Sequence, residues 1–176
     1  NIGGSAVTKL NYNLDIVSTY QIGPNPKDAI PVLDRIYISK ASYTTENSVA
    51  IIDVISNQVS KTFLPAPPVS AANNTGGIYI SSYNWKKLFI LDSLVATDII
   101  DSISINIPYQ GIGDIIAGDA RTLYIVAISD VSFSSYIGKG LYKFDLFNRT
   151  FDPSFSTINM NGNDDIYGIA YEQTNK

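Results

Sequence analysis

The feature that most limits what this chain can fold into is a repeat. Three segments share a strand centred on a tyrosine: Arg35-Ile36-Tyr37-Ile38-Ser39, Gly77-Ile78-Tyr79-Ile80-Ser81 and Thr122-Leu123-Tyr124-Ile125-Val126. A polar loop follows each one, then an apolar strand ending in aspartate: Ala50-Ile51-Ile52-Asp53, Phe89-Ile90-Leu91-Asp92 and Tyr142-Lys143-Phe144-Asp145. After a short turn a further strand is expected over 58–64, 99–107 and 150–158. Near the start, Lys9-Leu10-Asn11 fits the slot ending in Asp or Asn, with a strand over 16–20 behind it. The markers Asn11, Asp53, Asp92 and Asp145 stand 42, 39 and 53 residues apart. The longest interval is accounted for by an expected loop over 129–140. Innermost strands are expected over 29–33, 69–72, 113–117 and 166–171.

Four-stranded units of about 40–50 residues are the signature of β-propeller blades. The expected fold class is therefore all-β, a β-propeller with about four blades in view. Its parts are 1–23, 24–65, 66–108, 109–158 and 159–176. The chain starts just before a third strand and ends after a first one, so both breaks fall inside a blade. An arc of a larger ring is the expected reading, completed by unseen chain or another protein; a strict four-bladed ring is the alternative. Each recurring Asp has a local purpose, because its carboxylate can accept the N–H groups of the next turn. Each recurring Tyr is expected to pack between blades.

Composition agrees with strands. Ile is the commonest residue, and the 12 Tyr and 7 Phe suit a pleated surface. A formal net charge of −4 with no basic run argues against a nucleic-acid partner, which requires a patch matched to phosphates. No apolar run approaches the roughly 20 residues of a membrane-spanning helix. There is no His and no Cys, which removes the usual zinc sites and every His-dependent triad from this chain. No enzyme activity and no cofactor are expected.

The unit RIYISKASYTTENSVAIIDVISNQVSKTF, over 35–63, resembles the YVTN/YncE-type surface propeller repeat, in which a Tyr-Val-x-Asn strand precedes a Val-Ile-Asp strand. The likeness extends more loosely to 77–105 and 121–158, and the closing DDIYGIAYEQTNK is similar to that group's YGIA inner strand. Ser39, Ser81 and Ala127 depart from the family's usual Asn. The resemblance implies a seven- or eight-bladed ring, exported and displayed on a microbial surface. Some such proteins are outer-membrane lipoproteins that assist transporters and capture ligands such as cobalamin. No shared catalytic motif comes with it.

Ligands of propellers dock on the face where strand-two-to-three loops and blade-to-blade loops emerge. Those loops carry Tyr43, Tyr83, Trp85, Lys86, Tyr109 and Tyr136, the residues expected to bind a ligand. Loop aromatics give large contact area at little entropic cost. A tryptophan beside Lys86-Lys87 could stack a flat, cobalamin-like or glycan ligand while the lysines meet anionic groups. The bland alternative is that Trp85 folds over a blade edge. Residues 159–165 (NMNGNDD) loosely resemble a calcium loop but lack its bidentate Glu, so no metal is expected. Two triplets, Asn73-Asn74-Thr75 and Asn148-Arg149-Thr150, match the N-glycosylation pattern in expected loops. A carboxylate-pair hydrolase would need two acids converging on the axis. With only Glu46 and Glu172 as glutamates, the candidates are Asp28, Asp114 and Asp164-Asp165, each read first as a turn cap.

Three functions are thus set against each other. The first is a non-catalytic, extracytoplasmic propeller that binds a small ligand or partner protein. The second is a structural subunit of a surface assembly completed by another chain, and the third a hydrolase.

Overall fold

The computed structural model describes residues 4–40, 46–75, 77–82, 85–92, 98–132, 135–155, 158–159, 166 and 169, with side chains undescribed at 129–132, 135–138 and 158–159. Four antiparallel sheets follow one another along the chain. The first pairs β1 (Ala6–Leu10) with β2 (Ile16–Gln21). The second runs β3 (Pro26–Val32), β4 (Arg35–Lys40), β5 (Ser48–Asp53) and β6 (Gln58–Phe63) in sequence order. The third repeats this with β7 (Pro68–Asn74), β8 (Gly77–Ser82), β9 (Lys87–Leu91) and β10 (Ile99–Ser104). The fourth holds β11 (Gly111–Ala117), β12 (Thr122–Ser132), β13 (Ser135–Asp145), β14 (Thr150–Phe151) and β15 (Ile158–Asn159), the last paired with β13.

The two-residue period of a strand decides how these sheets stack. In β4 and β5, Ile38, Ala50 and Ile52 face back and join Tyr20 and Ile22 in one core. Their neighbours Tyr37, Val49 and Ile51 face forward and join Ile78, Ile80, Phe89 and Leu91 in the next core. The alternation continues, with Tyr79, Leu88 and Ile90 meeting Ile112, Ile115, Leu123, Ile125 and Phe144 in a third core. Middle strands are therefore buried on both faces, and each fully buried Ile or Leu contributes roughly 1.5–3 kcal/mol. Strand β6, at the sheet's outer edge, is mostly exposed. Face-to-face stacking of sheets whose strands run outward in sequence order is the architecture of β-propeller blades. Tyr37 and Tyr79 pack between blades as expected.

The turn chemistry also follows the sequence. Asp53 Oδ1 accepts the N–H groups of Ile55 and Ser56 at 3.0 and 2.8 Å. Asp145 Oδ1 accepts those of Phe147 and Asn148 at 2.8 and 2.9 Å. Asn11 Oδ1 accepts from Asn13 and Asp15, both at 2.9 Å. Each turn then passes through a residue of positive φ: Asn57, Arg149 and Leu14.

Three expectations need correction. The stretch 129–140, expected as a loop, belongs largely to a long hairpin in which β12 and β13 pair as far as Ser132 and Ser135. Its serines and glycines read as loop chemistry, but the ladder continues past them through register shifts near Ile128. Asn73 lies in β7 rather than in a loop, whereas Asn148 does sit in an exposed turn. Finally, Ser39 and Ser81 stand two residues after their tyrosines and Ala127 three, so the three do not share a position. The residue matching the two serines is Val126, opposite Leu141 as Ser39 is opposite Val49.

Candidate functional site

The innermost strands β3, β7 and β11 each carry a polar residue at a matching position: Asp28, Ser70 and Asp114. They lie in the first half of their strands, near the blade-to-blade loops. Asp28 Oδ2 accepts the Ser70 hydroxyl at 2.7 Å and the Ala71 N–H at 3.0 Å, while Oδ1 accepts the Ala29 N–H at 2.8 Å. Ser70 Oγ in turn accepts the Ile115 N–H at 3.3 Å. The side chain on one inner strand thus takes the N–H one residue further along on the next.

The second strands complete each joint. Ser39 Oγ accepts the Asp28 N–H at 3.1 Å and donates to the Val69 carbonyl of the next sheet at 2.8 Å. Ser81 Oγ repeats this, accepting from Ser70 N–H at 3.0 Å and donating to the Gly113 carbonyl at 2.7 Å. Buried serines at this position are satisfied on both sides, as buried hydroxyls must be. Val126 has no hydroxyl to repeat the bond, and β11 is the last strand of the ladder among the described residues. Among the described residues Asp114 has no hydrogen-bond or ion-pair partner. Burial, and then the negative charge of Asp28, push its carboxyl above the usual carboxylate range.

A cleft of about 320 Å³ opens beside Asp114. It is lined by Lys27, Asp28, Ile30, Ser70, Ala71, Asp114, Ile115, Ile116 and Ile169. Asp28 and Ser70 are already committed to the ladder, Lys27 is exposed, and Asp114 is half-buried. Walls of Ile and Ala with one open carboxylate suit a small molecule that has an apolar body and a donor group. Among the described residues no group of three or more carboxylates could hold a metal ion.

None of the six residues expected to bind is among the described residues lining this cleft. Trp85, 48% exposed, stands at the β8–β9 turn with Lys87 Nζ 5.8 Å from its ring centroid. Beside it, Lys86 donates to the Ile107 carbonyl at 3.1 Å and so ties that turn to the loop before β11. Tyr109 packs edge-on against Tyr142, 6.4 Å between centroids, and its hydroxyl donates to the Lys139 carbonyl at 3.4 Å. Tyr136 falls in β13, paired with Val131, and its side chain is undescribed. Tyr43 and Tyr83 lie outside the described residues, as do Asp164 and Asp165. Of the six, the side chains of Trp85, Lys86 and Tyr109 are described, and Trp85 and Lys86 stand together as neighbours in sequence. The structure also moves Asp28 and Asp114 from the turns into strands that border the cleft.

One further polar group was hidden in the sequence. Lys40 is fully buried at the end of β4, with its Nζ 3.2 Å from Glu46 Oε1 and 3.4 Å from Ser48 Oγ. Lys61 reaches the same carboxylate oxygen at 3.0 Å. Burial pulls the Lys40 ammonium below its ordinary range against the opposing pull of Glu46. The hydrogen bond from Lys61, helped by those from Ser48 and Lys40, lowers Glu46 to about 2. Both Lys40 and Ser48 are sealed from solvent, so this cluster ties β4, β5 and β6 together rather than offering a reactive surface.

No family model and no curated protein matches the chain. Solved structures do. Glutaminyl cyclase of Myxococcus xanthus matches with a TM-score of 0.50 at 12% identity, over 75% of this chain and 53% of that one. Apo AztD from Citrobacter koseri matches with 0.51 at 12% identity, over 90% and 53%. BBS1N, solved in complex with ARL6DN, matches with 0.53 at 13% identity, over 81% and 55%. These likenesses concern the fold, which is that of part of a β-propeller. The chain spans about half the length of each of these structures.

Proposed function

We propose that this chain is a non-catalytic, extracytoplasmic propeller module that binds a small ligand in the cleft at its axis. The observation that carries this reading is the open carboxylate of Asp114. Asp28 and Ser70 spend their hydrogen-bonding capacity within the ladder, whereas Asp114, without a partner among the described residues, borders a 320 Å³ cleft. Binding rather than catalysis is favoured because a carboxylate-pair mechanism needs two working acids. Asp28 already accepts three hydrogen bonds. Trp85 and Lys86, at the β8–β9 turn, are not among the residues lining this cleft.

The placement outside the cytoplasm, and an accessory role beside an outer-membrane transporter, rest on the resemblance to the YVTN/YncE-type surface repeat. Cell fractionation of the native host checks that placement directly. The ring would be a larger one, with further blades supplied by additional chain. For the binding reading, native mass spectrometry of gently purified protein should show a small adduct that denaturation releases. Filling the cleft by Ile116→Trp should abolish the adduct. An adduct that survives in a folded Ile116→Trp protein would place the ligand elsewhere.

A second reading has its own observation. The two-stranded sheet β1–β2 leaves Leu10, Ile16 and Val17 exposed, with Tyr12 and Leu14 exposed in its turn. A face of this kind suits a structural subunit whose first blade is completed by another polypeptide. Sedimentation of the 19.2 kDa chain tests it: a stable higher-mass species lost on Leu10→Lys/Val17→Lys substitution would favour assembly.

A further inference from the structure

Resting on the reading of the axial cleft as a binding site, we infer that its ligand is a small organic cation. An alkylammonium group would be held by the Asp114 carboxylate, with an aliphatic body against Ile30, Ile115, Ile116 and Ile169. The argument is one of elimination among lining atoms. Asp28 takes N–H or O–H donors on both oxygens, and Ser70 Oγ both donates and accepts within the ladder. Asp114 is left as the carboxylate with open acceptor capacity among the described lining residues.

Charge selects the sign of the ligand. Two carboxylates border the cleft, and the lone lining cation among the described residues, Lys27, is exposed and already engaged in an interaction of its own. An anion entering here meets Asp28 and Asp114 in a partly desolvated site, where like charges repel strongly. A cation meets the opposite situation. Burial and Asp28 now disfavour the charged form of Asp114, and an ammonium beside it would reverse that preference. The lining distinguishes organic from inorganic cations. Calcium takes six to eight oxygen ligands, and the oxygens of Asp28 are occupied by N–H and O–H donors. Five of the nine lining residues are Ile or Ala, which favours a carbon body over a hydrated ion. A volume of about 320 Å³ sits at the small end of ligand pockets, roughly 300–1,000 Å³.

The test follows the Ile methyl resonances of the 176-residue chain by NMR, in wild type and in Asp114→Asn. The probes are n-butylammonium, 1-butanol, butyrate and calcium chloride, each titrated separately at pH 7. Butylammonium should shift methyls of Ile30, Ile115, Ile116 and Ile169 saturably and bind at least about tenfold more weakly to Asp114→Asn, the loss expected for one charge-assisted contact. Butyrate and calcium should leave these methyls unmoved. Lowering the pH toward the ordinary carboxylate range should weaken butylammonium binding in wild type alone. If butanol binds as well as butylammonium, and equally in both proteins, the cleft stands as a site and the cation assignment falls. A response to calcium and not to butylammonium would overturn it in favour of a metal. If no probe moves these methyls while the spectrum remains that of the folded protein, the cleft itself is not a ligand site.

Discussion

Asp28 on β3 accepts the backbone N–H of Ala71 on β7 at 3.0 Å, across a sheet boundary and 43 residues of chain. With the Ser70 hydroxyl at 2.7 Å, the contact fixes the register between two blades rather than within one. Replacing Asp28 by Ala leaves the Ala71 N–H in a crowded, half-dry site without its acceptor. The expected cost is roughly 2–3 kcal/mol, read as a lower urea midpoint at unchanged slope. Asp28→Asn, which keeps one acceptor oxygen, should cost about half as much.

Asp114 should behave in the opposite way. Its folded carboxyl lies above the ordinary 3.8, so the ionised form is the disfavoured one inside the protein. The stability it contributes is full below pH 3.8 and is lost as pH rises through the raised folded value. Asp114→Asn should therefore be more stable than wild type at pH 7, with the difference closing as pH is lowered into that window. Thermal midpoints at several pH values measure it.

Glu46 gives the reverse pH signature. Hydrogen bonds from Lys61, Ser48 and Lys40 hold its carboxyl at about 2, against 4.5 in the free residue. This stabilisation is present above pH 4.5 and disappears as pH falls toward 2. Wild type should lose stability relative to Glu46→Gln across that interval and run parallel to it above pH 5, in acid titrations followed by circular dichroism.

At Gly77 the backbone itself limits the sequence. Its φ is +145°, and a Cβ there would stand 2.7 Å from the Leu91 carbonyl oxygen of the neighbouring strand. Neither the backbone oxygen nor the turn can yield cheaply. Gly77→Ala should destabilise by about 1–3 kcal/mol, visible as a lower melting temperature, whereas the same change at a glycine with open space would pass unnoticed.

What could be read from the sequence is what local chemistry determines. Asn11, Asp53 and Asp145 announce their turns because the N–H groups they accept lie two to four residues away. Tyr37 and Tyr79 announce middle strands because both faces of those strands are buried and the apolar run shows it. Asp28 and Ser70 announce nothing, since each owes its role to a strand more than 40 residues distant, and Asp114 is known only by its place beside them. A lone Asp before an apolar run reads as a cap, and only the stacking of sheets reveals it as a joint. A signal did exist: all three precede the small or aliphatic residue that opens the inner run, at Ala29, Ala71 and Ile115. Aromatic loops drew attention instead because their chemistry is visible one residue at a time. Lys40 was masked for a similar reason, its ion pair with Glu46 closing across a loop.

The joint between blades has a direction. The accepting side chain sits on the earlier blade and the donating N–H on the later one, at Asp28 to Ala71 and again at Ser70 to Ile115. Copying a blade and inserting the copy head to tail would leave every such joint satisfied, whereas transposing the two halves of a joint would satisfy none. Growth by tandem duplication is thus built into the chemistry of the seam, and it leaves the polar residue on each inner strand as the place where one copy can diverge. A single substitution there would unfasten one seam and leave the others whole.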